Sequence, residues 1–264
     1  MKKIKTIGIL GGGVMGELMA SNIVKIFPTA SLIVCERNGA HATMLQKKYR
    51  IAVTTRCEDL MVTDVIILAV KPQDFPLARI IAKKDALVIS IMAGVSTATI
   101  RKQTHAKKIV RAMPNTPARF GKGFTAFFAT RTVDREGIRF CSQLFDGLGV
   151  SFRVPAEETI NKVTAITGSG PAYLIDTLAH FMSAAQSLGF SKKIAYQMIL
   201  QTLIGTEALL ADNPDPEHLI NQIASKGGTT EAALREFEKA DIHKIWHKAV
   251  DAAYARAQEL GKRI

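Results

Sequence analysis

The segment Gly11-Gly12-Gly13-Val14-Met15-Gly16 sets Gly11, Gly13 and Gly16 at a G-x-G-x-x-G spacing. The first glycine permits a tight turn, the second lets a pyrophosphate approach the backbone, and the third allows a helix to pack closely on the preceding strand. The first turn of that helix, at Val14 and Met15, offers N–H groups and partial positive charge to the phosphates. Glu36 stands twenty residues after Gly16, where a carboxylate at the end of a second strand meets the adenine ribose. A dinucleotide site follows from this pattern; a merely structural glycine turn leaves the placing of Glu36 unexplained. Glu36 suits the 2′-hydroxyl of NADH and the adjacent Arg37 suits the 2′-phosphate of NADPH, with a slight lean towards NADH.

A second unusual segment is Ser225-Lys226-Gly227-Gly228-Thr229-Thr230, which leads into the helical run Glu231-Ala232-Ala233-Leu234. Gly227 and Gly228 free the backbone, the threonines are suited to cap the helix, and its first-turn N–H groups form a receptor for a carboxylate. Three further loops, Ala69-Val70-Lys71-Pro72-Gln73, Ala93-Gly94-Val95 and Met113-Pro114-Asn115-Thr116-Pro117, each follow a candidate strand. In an open α/β sheet ligands lie outside the carboxyl ends of the strands, so all three face the cofactor. Their small residues and prolines suit a rigid floor for a nicotinamide.

These loops need a sheet to hold them. Short β-branched runs at Lys5 to Leu10, Leu32 to Cys35, Val65 to Val70, Leu87 to Ser90 and Ile109 to Ala112 alternate with helical stretches such as Met15 to Lys25 and Ala40 to Lys48. Runs apolar on both faces are what a parallel sheet covered by helices requires, so residues 1–155 read as a Rossmann-type doubly wound α/β domain. Phe124 to Phe128 and Val150 to Val154, flanking a helix around Arg135 to Leu148, extend the sheet. After Pro155 strand character disappears and apolar residues recur at helical spacing, as in Leu174, Leu178, Met182 and Ala185. Residues 156–264 therefore read as an all-α domain, interrupted at Gly168-Ser169-Gly170-Pro171, where the helix kinks or restarts.

The 264 residues, 47% hydrophobic and 22% charged, belong to the globular class. Of the net +12, all lies in the first part: residues 1–155 carry 24 basic against 10 acidic side chains, and the rest carry 11 against 13. A polyanionic ligand is expected there. Scattered lysine pairs and 6% aromatic residues do not form a nucleic-acid surface. Cys35, Cys57 and Cys141 make no Cys-x-x-Cys pair, which speaks against a disulfide framework or a zinc site and for a reducing cytoplasm. Met1-Lys2-Lys3-Ile4-Lys5 resembles a signal-peptide start, but the glycines end the apolar stretch after it, so it reads as the approach to a strand. The longest clean apolar run, Val65 to Val70, falls short of a membrane span, and no membrane partner is expected. His243 and His247, four residues apart on a helix, lack a third ligand in sequence and read as a solvated face; no metal is expected.

With these segments in order, and with Thr167-Gly168-Ser169-Gly170-Pro171-Ala172-Tyr173 added to them, the chain resembles pyrroline-5-carboxylate reductase over essentially its whole length. The resemblance implies a Rossmann domain followed by a helical domain that forms a homodimer or a ring of dimers. It also implies reduction of the cyclic imine pyrroline-5-carboxylate to L-proline with NADPH or NADH. On that basis Ser225, Gly227, Gly228, Thr229 and Thr230 hold the substrate carboxylate, with Thr230 beside the ring nitrogen as the catalytic candidate. Gly11, Gly13, Val14, Met15, Gly16, Glu36, Arg37, Arg56, Ala69, Val70, Lys71 and Pro72 contact the dinucleotide. Ala93, Gly94, Pro114 and Asn115 border the nicotinamide. Three positions depart from the family pattern: Lys226 replaces a usual proline, Asn161 an acidic residue, and Arg56 an asparagine near the adenosine ribose. Two other readings use the same loops: a reductase of another imine or keto acid, and a dinucleotide-binding sensor without turnover. A sensor, however, has no need of the segment from Ser225 to Thr230.

Overall fold

The computed structural model describes residues 4–262. Eight strands form one sheet: β1 (Thr6–Leu10), β2 (Ser31–Cys35), β3 (Ala52–Thr54), β4 (Val65–Leu68), β5 (Leu87–Ser90), β6 (Lys108–Met113), β7 (Gly123–Ala129) and β8 (Gly149–Arg153). Their order is β3-β2-β1-β4-β5-β6-β7-β8. β1 is hydrogen-bonded to both β2 and β4, so the chain winds outwards in two directions from it and leaves a crevice at the switch point. Helices α1 (Val14–Ile26), α2 (Gly39–Tyr49), α3 (Thr97–Thr104) and α4 (Arg135–Asp146) complete the layers.

Alternation along the strands explains why both faces are covered. Ile7, Ile9, Val65, Ile67, Leu87 and Ile89 belong to one buried cluster, whereas Leu10, Ile66, Leu68 and Val88 belong to another. Two features escape the reading of runs alone. β3 is a three-residue edge strand with no fully buried side chain, too short and polar to stand out. β7 pairs antiparallel with β6, while β8 pairs parallel with β7, so the two added strands reverse the sheet direction. Short 3₁₀ segments follow β4 and β6, each with a proline near its start.

The remaining helices are α5 (Glu158–Val163), a π-helical turn at Thr164–Gly168, α6 (Gly170–Ser187), α7 (Lys192–Asp212), α8 (Pro216–Ile223), α9 (Thr229–Lys239) and α10 (Ile242–Lys262). The break expected at Gly168-Ser169-Gly170 is thus the end of a π turn and the start of a new helix. One compact unit runs to Pro171 and takes up the chain again from Ala252; the other is Ala172–Asp251. Within the second unit, Leu174, Ile175, Phe181, Ile204, Ile220 and Ile245 are exposed. Helix α7, 21 residues long, contains an 18-residue window with a mean hydropathy of 1.2, of which 11% is buried, and by length and composition alone it could cross a membrane. Exposed apolar helices of this kind call for a covering surface.

The amino-terminal ends of the strands carry a polar anchor. Asp64 accepts hydrogen bonds from the N–H groups of Lys5 and Thr6 and from the Thr6 hydroxyl, and its other oxygen meets the Lys83 ammonium at 2.7 Å. Burial pushes this carboxyl up, but the Lys83 ammonium and those donors outweigh it and hold it at about 2. A depressed carboxylate stabilises the fold above its ordinary range, and that contribution disappears as the pH falls from about 4 to about 2. Asp64→Asn is expected to lower stability at pH 7 by roughly 1–2 kcal/mol after allowance for solvent screening. The difference from wild type should vanish near pH 2. Urea unfolding of both proteins across that range checks it, and a constant difference at every pH would be the contrary result.

Candidate active site

At the switch point lies a crevice of about 260 Å³. Gly11, Gly13, Glu36, Arg37, Ala69, Val70 and Lys71, each expected at a dinucleotide, line it. Its geometry follows from the glycines. Gly11 has φ +95 and lies against β4's exit, where an added Cβ would meet Val70 at 2.9 Å and the Ala69 carbonyl at 3.0 Å. Gly16 is packed so closely that a Cβ would lie 1.9 Å from the Gly11 oxygen. Gly13 differs: it has an ordinary φ of −57 as the N-cap of α1, and nothing stands within 4 Å of where its Cβ would point. The fold itself has no steric need for glycine there, whereas a pyrophosphate against the backbone does.

Glu36 is held rather than free. One carboxylate oxygen accepts from the Gly12 N–H at 3.0 Å and the other from the Asn38 N–H at 2.8 Å. His41, which the sequence pattern did not single out, lies with Nε2 2.6 Å from the Gly12 carbonyl. Both polar groups of the Gly12 peptide region are therefore tied to side chains at the β2–α2 junction. The only local signal was the N-cap: Asn38 accepts from the His41 N–H and thereby sets the first turn of α2. Cys35 also lines the crevice, but burial pushes its thiol up to about 11, so it is no nucleophile.

The other expected contacts divide. Val14 is 75% exposed on the first turn of α1, with Met15 half-buried beside it. Pro72 opens the 3₁₀ segment after Lys71. Arg56 does not line the crevice although its neighbours Thr55 and Cys57 do; its guanidinium lies 3.9 Å from Asp59. Ala93 and Gly94 follow β5, and Pro114 and Asn115 follow β6, further along the same carboxyl edge. The Asn115 side chain is already committed: it donates to the Thr167 carbonyl at 2.9 Å and accepts from the Phe124 N–H at 2.9 Å. It joins the β6 exit to the π turn and to β7.

In the helical unit the loop before α9 departs from expectation in its cap. Neither Thr229 nor Thr230 caps the helix; Gly228 is the N-cap without a side-chain bond, and the threonines occupy the first two helical positions. Glu231 instead reaches back to accept from the Gly227 N–H at 2.5 Å, a carboxylate answering the start of the helix. Gly227 has φ +74, and the Gly228 N–H donates to the Ser225 carbonyl at 3.0 Å. The ladder of α9 opens with Ala232 donating to Gly228. The N–H groups of Thr229, Thr230 and Glu231 thus have no partner among the described residues, an arrangement that receives an anion. Lys226 is exposed beside them.

His243 and His247 face each other, with their Nε2 atoms 3.1 Å apart. No group of three or more metal-ligating side chains occurs among the described residues.

Residues 157–260 match the family model for pyrroline-5-carboxylate reductase dimerisation, and residues 6–94 match that for NADP oxidoreductase, coenzyme F420-dependent. The chain is 37% identical to the pyrroline-5-carboxylate reductase of Synechocystis sp., over 97% of this chain and 98% of that protein. It is 35% identical to pyrroline-5-carboxylate reductase 2 of Bacillus subtilis, over 99% of each. Among solved structures, the pyrroline-5-carboxylate reductase of Coxiella burnetii superposes with a TM-score of 0.86 at 30% identity, covering 98% of this chain and 99% of that one. The Plasmodium falciparum pyrroline carboxylate reductase, solved with NADP bound, gives 0.85 at 25% identity, over 99% of each chain.

Proposed function

The chain belongs to the pyrroline-5-carboxylate reductase family, and we propose how its residues divide the work of that reaction. The activity is the last step of proline biosynthesis: reduction of the C=N bond of pyrroline-5-carboxylate by NAD(P)H to give L-proline. The dinucleotide, when bound, supplies the hydride. Its fit to this chain rests on Gly13, whose missing side chain leaves open the side of the crevice that a phosphate needs. Gly11, Gly13 and the first turn of α1 at Val14, Met15 and Gly16 hold the pyrophosphate. Glu36 and Arg37 flank the adenosine ribose, with Arg56 outside the crevice and turned towards Asp59, and Ala69, Val70, Lys71 and Pro72 form the opposite wall. Ala93, Gly94, Pro114 and Asn115 border the nicotinamide.

The observation that carries the substrate assignment is the set of three N–H groups at the start of α9 with no partner among the described residues. Ser225, Gly227, Gly228, Thr229 and Thr230 bind the carboxylate of the cyclic imine there. Thr230 lies beside the ring nitrogen, its hydroxyl donating to a neutral imine or to the amine product and accepting from the N–H of a protonated iminium. A threonine hydroxyl is a weak acid, so it orients the imine while solvent, or prior protonation of the imine, supplies the proton. Orientation of two reactants can by itself contribute about 7–11 kcal/mol to the rate.

The functional division falls near Pro155, with residues 156–264 serving dimerisation and substrate binding. The assembly is a homodimer, or a ring built from homodimers, acting in the cytoplasm without nucleic-acid or membrane partners. Covering the exposed faces of α6 and α7 by a second copy removes the apolar surface that α7 shows in one chain. Purified protein is expected to oxidise NADH or NADPH only when pyrroline-5-carboxylate is added. Specific activity should fall on dilution together with the mass measured by light scattering. No imine-dependent oxidation in folded, nucleotide-binding protein would overturn the substrate assignment, and full activity in a demonstrated monomer would overturn the role of the dimer.

A further inference from the structure

Arg111 on β6 is 3% exposed, an uncommon place for a guanidinium. Its Nη2 donates to Asn161 Oδ1 at 2.7 Å, its Nη1 lies 3.4 Å from Glu157 Oε1, and its Nε has no partner among the described residues. Asn161 is neutral, so Glu157 supplies the nearest negative charge. Yet the short bonds of Glu157 go elsewhere. Its two oxygens accept from the Thr97 N–H at 2.7 Å and the Thr97 hydroxyl at 2.6 Å. Thr97 opens α3, three residues beyond Gly94. The turn after β5 is therefore tied, through one carboxylate, to a buried cation on the neighbouring strand.

The next carboxylate in the chain points to a different element. Glu158 accepts from the Tyr254 hydroxyl at 2.6 Å, from Gln258 at 3.1 Å and from the Asn161 amide at 3.0 Å. The Tyr254 hydroxyl, with help from Gln258, Asn161 and the Arg111 charge, holds the Glu158 carboxyl below its usual range against the effect of burial. Tyr254 and Gln258 belong to α10, whose end crosses Gly94: an added Cβ there would lie 2.7 Å from Leu260 Cβ and 3.0 Å from the Gly261 nitrogen. Adjacent residues at the start of α5 thus bracket one turn, Glu157 by way of α3 and Glu158 by way of α10.

We propose that Glu157, fixed by Arg111, is a positioning residue for hydride transfer: it sets the Ala93-Gly94 turn against which the nicotinamide lies. The proposal rests on the reading of that turn as the nicotinamide border. Glu157 touches none of the reacting groups; a nicotinamide that loses its backing still binds through its adenosine and pyrophosphate, but in a less reactive geometry. Cofactor affinity and turnover should then separate.

Glu157→Gln removes the charge and keeps an acceptor for Thr97. It is expected to lower kcat at least about tenfold, since displacements of the order of an ångström cost up to about a hundredfold. NADH dissociation should stay within about threefold, because the adenosine and pyrophosphate contacts that dominate binding are untouched. The primary isotope effect with deuterated NADH should equal or exceed that of wild type. Thr97→Val, which leaves the Arg111–Glu157 pair in place, should show the same pattern more weakly and serves if the first variant does not fold. A kcat within threefold of wild type, or a fall matched by equal loss of NADH binding, would overturn the proposal, as would an isotope effect below that of wild type. Failure of the wild-type protein to reduce pyrroline-5-carboxylate would instead overturn the functional reading, so the two outcomes are distinct.

Discussion

Replacing Gly16 with alanine is expected to remove most of the reductase activity, with kcat/KM falling by roughly a hundredfold or more. The new Cβ would lie 1.9 Å from the Gly11 carbonyl oxygen and 2.9 Å from its carbon, both backbone atoms. No rotamer relieves that overlap. Either the turn at Gly11, already at φ +95, must change, or α1 must draw back from the sheet by more than an ångström. Both moves displace the N–H groups proposed to face the phosphates, and overpacking of this kind also costs about 1–3 kcal/mol of stability. Gly13→Ala provides the contrast. Nothing lies within 4 Å of its Cβ position, so the fold should tolerate it at no more than the roughly 1 kcal/mol that alanine costs at an N-cap, while NADH titration should show binding weakened by about tenfold or more through contact with the pyrophosphate. Wild-type NADH affinity in both variants would refute the placement of the pyrophosphate over this loop.

The second large effect concerns the choice between the two dinucleotides. The Glu36 carboxylate is held by the N–H groups of Gly12 and Asn38, so it cannot swing aside to admit a 2′-phosphate without leaving both donors unpaired. Two unit charges about 5 Å apart repel by about 3 kcal/mol at an effective dielectric of 20 and by less than 1 kcal/mol in bulk water. A half-exposed crevice lies between these limits, so NADH is expected to exceed NADPH in kcat/KM by about tenfold. Arg37 lines the same crevice and pulls the other way, whereas Arg56 is turned towards Asp59. Removing the carboxylate charge while keeping most of its shape, by Glu36→Gln, should therefore raise kcat/KM for NADPH by about tenfold and lower that for NADH a few-fold. Steady-state rates with both cofactors decide this. A wild-type protein that uses NADPH as well as NADH would reject the assignment to Glu36.

Much of the frame was legible because it is written in local spacing. The runs at β4 and β5 are apolar on both faces, a pattern that belongs to strands buried from both sides, and the glycines after β1 state their turn by their own lack of side chains. The loss of strand character after Pro155 likewise announced the helical part, because a change of hydrophobic period needs no tertiary information. The segment from Ser225 to Thr230 was legible in its backbone role but not in its cap. Which side chain answers a helix start depends on rotamers, and Glu231 rather than a threonine reaches back to Gly227.

Other features depended on packing between distant parts of the chain. β7 runs antiparallel to β6, and Asn115 at the β6 exit bonds to Phe124 and to Thr167, the latter 52 residues away. Arg111 reads in sequence as one more basic residue of a positive domain; its burial and its contacts with Glu157 and Asn161, 46 and 50 residues away, arise only when α5 packs beside β6. The same holds for Glu36, whose spacing indicated a ribose contact and whose immobility comes from Gly12 and Asn38 together. Sequence by itself therefore determined most of the elements and the backbone freedom of the two glycine-containing loops, since periodicity and backbone freedom are local properties. The partners of the buried charges were decided by tertiary structure alone, because the electrostatic cost of burying a charge is met by whichever groups the fold brings within a few ångströms.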